Sequence, residues 1–145
     1  MNTTYVGGDA HRGAFHAASL ARWGNYYVKR ADQPLFPDRL MSFTTARGDR
    51  PGGNPAIIFP GNHRIEGPWH ATPTNDTIPD FVPWTAPLGR FNPSLKPSTY
   101  GYVDFRAGGR AQFVALDGHA DAMKVEQSFD MRRWSNLATS SDWSP

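Results

Sequence analysis

The chain has 145 residues, 13% of them aromatic, with 14 Gly, 13 Pro and no Cys. That length holds one hydrophobic core rather than two, and the Gly and Pro content points to turns and irregular connections rather than long helices. Fifteen Lys+Arg against 13 Asp+Glu leave a net charge of +2 scattered along the chain, which argues against the concentrated basic face of a nucleic-acid binder. The lack of cysteine rules out disulfides, thiolate metal sites and a cysteine nucleophile. No stretch approaches the ~20 apolar residues of a membrane span. Met1-Asn2-Thr3-Thr4-Tyr5 has neither a basic nor an apolar leader, so no signal peptide is expected.

In chain order, residues 9–23 are the best helix candidate. Asp9 stands at the cap, Ala14, Phe15, Ala18, Ala21 and Trp23 make a partial apolar stripe, and Gly24-Asn25 is the stop. Tyr26-Tyr27-Val28 and the run Leu40–Thr45 are strand-like, with a proline-containing connection between them. Residues 47–55 read as a turn-rich loop; its Arg47-Gly48-Asp49 tripeptide is too short to carry meaning. Ala56–Phe59 suits a brief buried strand closed by Pro60-Gly61.

Residues 62–97 carry seven prolines, which predicts a long irregular segment with regular structure only in short pieces. Its aromatics Trp69, Phe81, Trp84 and Phe91 either pin that segment to the body or form an exposed binding surface for a carbohydrate or peptide. The unit 99–134 is clearer. Tyr100–Phe105 alternates as a strand, Ala107-Gly108-Gly109 is a turn, and Ala111–Leu116 is a return strand of such low polarity that both faces should be covered. Asp117-Gly118 is a second turn and Ala120–Val125 a third strand. The expectation is a three-stranded antiparallel meander, followed by a tail, 135–145.

Chemistry-bearing patterns are sparse. Asp117, His119, His63 and His70 are the weak candidates for a metal-dependent hydrolase. The simpler reading gives the Asp117 carboxylate to its own turn backbone and starts the next strand at His119. No Gly-x-Ser-x-Gly elbow or phosphate-binding glycine loop is present. No catalytic residue, cofactor or metal is therefore assigned.

The stretch Asp104-Phe105-Arg106-Ala107-Gly108-Gly109-Arg110, a short apolar run, Asp117-Gly118-His119 and the tail Asp130-Met131-Arg132-Arg133-Trp134 resemble the C-terminal signature of prepilin-like proteins of the planctomycete type. This family includes type II secretion pseudopilin-like and type IV pilin-like members. They read Arg-His-Gly-Gly, with nine residues between the His and Asp-Gly; here the nine residues 108–116 are kept and Ala107 stands in place of the His. The signature residues are thus Arg106, Gly108, Gly109, Asp117, Gly118, His119 and Trp134. Arg106 is expected to pair with Asp117 or Asp104. The family's N-terminal cleavage site and apolar helix are not in these 145 residues, which implies a globular fragment or a variant without the helix.

The resemblance implies a non-enzymatic structural protein at the cell envelope, periplasmic or extracellular, whose partners are other protein subunits, its own copies or pilin-like ones. It implies neither nucleic acid nor a direct membrane span. Trp69, Trp84, Trp134 and Trp143 are the expected contact aromatics. The expected fold is α+β over one domain, 1–145: a small antiparallel sheet, one short N-terminal helix and long Pro/Gly-rich loops.

Overall fold

The computed structural model describes residues 1–2, 4–7, 17–24, 26–30, 32–49, 58–62, 64–71 and 81–145. The expected helix start over 9–16, the loop residues 50–55, the first two residues of the expected strand at 56–59, and His63 lie outside the described residues. The fold is α+β. Helix α1 (Ala17–Trp23) ends at Gly24, whose φ of 68° is the left-handed geometry that closes a helix. Its Trp23 packs edge-on to Phe81 at 5.1 Å.

Strand β1 (Met41–Thr44) is followed by β2 (Arg47–Asp49), β3 (Ile58–Pro60), β4 (Trp69–Ala71), β5 (Phe81–Pro83), β6 (Arg110–Ala115) and β7 (Ala120–Lys124). A four-residue helix, α2 (Val125–Ser128), and short 3-10 turns at Pro97–Tyr100 and Met131–Arg133 complete the described elements. The strands form an antiparallel sheet in the order β1-β6-β7 and two ribbons, β2-β3 and β4-β5. Met41, Ala111, Phe113, Ala115 and Met123 give the sheet a buried face, packed on Tyr5, Tyr26, Tyr100, Phe105, Met131 and Trp134.

The sheet differs from the expected meander in its first strand. Pro97–Tyr100 is a 3-10 turn, and the next two residues, Gly101 and Tyr102, have φ of 56° and 66°. Two consecutive left-handed residues cannot continue an extended strand. Val103 then makes one isolated bridge to Ala46, and Tyr100, Val103, Asp104 and Phe105 are all buried, without the alternation of a two-faced strand. The place beside β6 belongs to β1, about seventy residues upstream in register: Met41 faces Ala115 and Phe43 faces Val114, with a bulge between. At that bulge the Ser42 hydroxyl donates to the Val114 carbonyl at 2.9 Å.

The predicted loop at Arg47 is likewise a strand. β2 pairs Arg47 with Pro60 and Asp49 with Ile58. Arg47 is 1% exposed; its Nη1 and Nη2 donate to the Pro93 and Leu95 carbonyls at 2.8 and 3.0 Å, and its guanidinium lies 4.8 Å from the Phe91 ring centre. The charge is tolerated inside because carbonyl dipoles and an aromatic face replace water. Burial pulls its pKa down and the nearby Asp104 carboxylate opposes that fall.

Asn2 ties the first residues into this core. Its Nδ2 donates to the carbonyls of Met41 and Trp134, both at 3.1 Å, and its Oδ1 accepts from the Tyr5 N–H. Three chain segments more than thirty residues apart therefore meet at one amide. Among the described residues no helix is long and apolar enough to cross a membrane.

Candidate functional site

The β6–β7 hairpin is built by its two ends. At one, Gly108 and Gly109 take φ of 63° and 76°, and the Arg110 N–H reaches the Ala107 carbonyl at 3.1 Å. At the other, Gly118 has φ of 93° and donates to the Ala115 carbonyl. Asp117 Oδ1 accepts from the His119 backbone N–H at 3.1 Å and lies 2.7 Å from His119 Nδ1. The backbone hydrogen bond is the main cause of a lowered Asp117 pKa, with the imidazole contact adding to it. The carboxylate thus serves its own turn, and the Asp117 N–H and Leu116 N–H anchor that turn to the Pro37 and Leu40 carbonyls.

Two Asp-x-Arg clamps flank the hairpin and share one geometry. Asp104 Oδ1 accepts from the Arg106 N–H and Nε, and Oδ2 from Nη2. Asp130 does the same for Arg132, at 3.1, 2.9 and 2.7 Å. Arg106 pairs with Asp104 and not with Asp117. Each aspartate accepts two residues ahead, as in an Asx turn, while the planar guanidinium closes the ring.

Trp134 and Trp84 are corrected from contact residues to core residues. Trp134 is 0% exposed, donates Nε1 to the Ser128 carbonyl at 2.8 Å and lies flush on Gly67, where a Cβ would meet the indole at 3.0 Å. Trp84 is 7% exposed, donates Nε1 to the Glu66 carbonyl and meets Trp134 edge-on at 5.7 Å. Large indoles surrounded by carbonyls and other rings are plugs, not anchors for a partner. Trp69 and Trp143 are half-buried, both packed on the core. With Phe81 and Phe91 also packed there, these aromatics of 62–97 pin the segment to the body. A cleft of about 580 Å3 remains beside them, lined by Pro68, Trp69, Pro83, Trp84 and Phe129.

Of the candidate metal ligands, Asp117 and His119 come together at the hairpin turn. His70 lies on β4, with Nε2 3.5 Å from Glu66 Oε2, and Arg64 holds the other carboxylate oxygen at 3.0 Å. Among the described residues no three His, Cys, Asp or Glu side chains converge as a metal site would require. The buried Glu66 was not singled out by sequence reasoning; Arg64-x-Glu66-x-x-x-His70 is the spacing that could have pointed to it.

The outer face of the sheet is open, contrary to the covered return strand expected. Gln112 is exposed, Val114 only half-buried, and Phe43, opposite Val114, is 53% exposed. Exposed Ala120 completes that row on β7. At the Gly108-Gly109 end of the hairpin a second cleft of about 500 Å3 is lined by residues 89–91, 93, 105, 106, 108–110 and 124–126. Comparison with protein families, curated proteins and solved structures gave no match to any family model, any curated protein or any solved structure.

Proposed function

We propose that this chain is a non-enzymatic structural domain, pilin- or pseudopilin-like, that contributes to a cell-envelope filament or complex by contact with other protein subunits. The observation that supports this reading is the division of labour in the signature unit. Gly108-Gly109, Asp117-Gly118-His119, the Asp-x-Arg clamps and Trp134 all serve to hold the hairpin in place. What that frame presents is an open sheet row with a large exposed ring, Phe43, beside Val114 and Ala120. An apolar ring held on a rigid sheet face suits docking better than turnover.

The test is made in the native host. A photo-crosslinking phenylalanine analogue at position 43 of the full-length gene product should join it to a second pilin-like subunit or to another copy, in the envelope fraction. A monomer in the soluble fraction with no crosslink at that position would refute the proposal.

A further inference from the structure

The cleft beside Gly108-Gly109 has a charge unlike the rest of the molecule. Among its lining residues Arg90, Arg106, Arg110 and Lys124 are cationic and only Glu126 is anionic, an excess larger than the +2 of the whole chain. The cations arrive from three separate chain segments. All four are exposed, and the side chains of Arg90, Arg110 and Lys124 make no ion pair among the described residues. Arg106 is held by Asp104 through Nε and Nη2, which orients the guanidinium and leaves Nη1 without a partner among the described residues. Unpaired, like-charged groups around one opening repel each other, and that repulsion is relieved by an anionic ligand.

The wall between them is apolar and rigid. Phe91 is stacked under Arg47 and packed against Tyr100 and Phe105 at 5.1 and 5.5 Å; Pro93 and Val125 complete the surface. A ring held on several sides loses little freedom when a ligand covers it. The volume lies within the roughly 300–1,000 Å3 usual for ligand clefts.

We propose that this cleft binds an acidic peptide segment, its carboxylates on Arg106, Arg110 and Lys124 and an apolar side chain against Phe91, Pro93 and Val125. A lone small oxyanion would use the cations but not the apolar wall. A nucleic acid would need a basic track that follows successive phosphates, whereas these cations ring one opening and the remaining charge is dispersed. The proposal does not depend on the envelope reading, because it uses other residues, at the opposite end of the hairpin from Phe43, Val114 and Ala120.

The experiment is an amide-resolved NMR titration of the full chain with four probes: a hexapeptide of alternating Glu and Phe, its Gln counterpart, inorganic phosphate and a single-stranded oligonucleotide. The acidic peptide should shift the amides of residues 90–91, 106–110 and 124–126 and weaken as salt rises, and the Gln peptide should not bind. Arg110→Gln and Lys124→Gln, at exposed positions whose side chains make no ion pair among the described residues, should each weaken the acidic peptide about fivefold to tenfold with melting within about 1 kcal/mol of the native chain. Shifts elsewhere, affinity unaltered in both variants, equal binding of phosphate alone or tighter binding of the oligonucleotide would each overturn the proposal.

Discussion

The β6–β7 hairpin and the described residues between Arg47 and Phe105 hold their shapes by opposite means. The hairpin is local: its turns are made by Gly108, Gly109 and Gly118 in left-handed geometry, and Asp117 bonds the residue two ahead. The other region is held from a distance. Arg47 reaches the carbonyls of Pro93 and Leu95, Trp84 reaches that of Glu66, and the Tyr5 hydroxyl reaches that of Trp69 at 2.5 Å. A proline-rich chain has few backbone donors to make its own ladder, so side chains distant in sequence satisfy its carbonyls instead. The lesson is that the irregular half is fixed by few, distant groups, each costly to lose, and the regular half by many small local ones.

That contrast orders the expected effects. Trp134→Ala should be the most damaging, lowering stability by about 3–5 kcal/mol in chemical unfolding, because it empties the space against Trp84 and Gly67 and removes the Nε1 bond to the Ser128 carbonyl. Arg47→Met keeps the bulk but leaves two carbonyls without donors, and a loss of about 2–3 kcal/mol is expected in the same assay. Gly118→Ala, in the hairpin turn, has open space for its Cβ and only the backbone strain to bear, so about 1–2 kcal/mol should be lost. A hairpin variant that unfolds the protein as severely as Arg47→Met would break the comparison.

The smallest effect is electrostatic. The Arg132 guanidinium, foremost, and its backbone N–H hold the Asp130 carboxyl below its ordinary pKa. A lowered folded-state pKa adds stability above the unfolded-state value, and that increment is lost as pH falls through the folded one. Thermal melts of the native chain should therefore decline on acidification through that window, and Asp130→Asn should flatten part of the decline. A decline unchanged in the variant would remove the clamp from the account.

The same contrast explains what could be read from residues alone. Glycine pairs and Asp-Gly announce their geometry within a few positions, so both ends of the hairpin and the α+β class were legible. The partner of β6 was not, since β1 lies about seventy residues away and nothing in Leu40–Thr45 names its neighbour. Tyr100–Phe105 imitated a strand because its large residues alternate, while Gly101 and Tyr102 carry the left-handed pair that breaks it. Arg47 looked like loop because a buried guanidinium depends on carbonyls more than forty residues onward. Asn2 offered no signal at all. The indoles were legible as large and apolar, but only the surrounding fold decides whether such rings plug a core, as Trp84 and Trp134 do, or face outward, as Phe43 does.

On the proposed function the β1-β6-β7 sheet presents the Phe43 face, so the most direct measurement sets folding against assembly in one variant. Phe43→Glu should melt within about 1 kcal/mol of the native chain, as surface substitutions do, and on the proposed function lose association with a second subunit. A variant that unfolds, or one that associates with a second subunit as the native chain is proposed to do, would contradict the account.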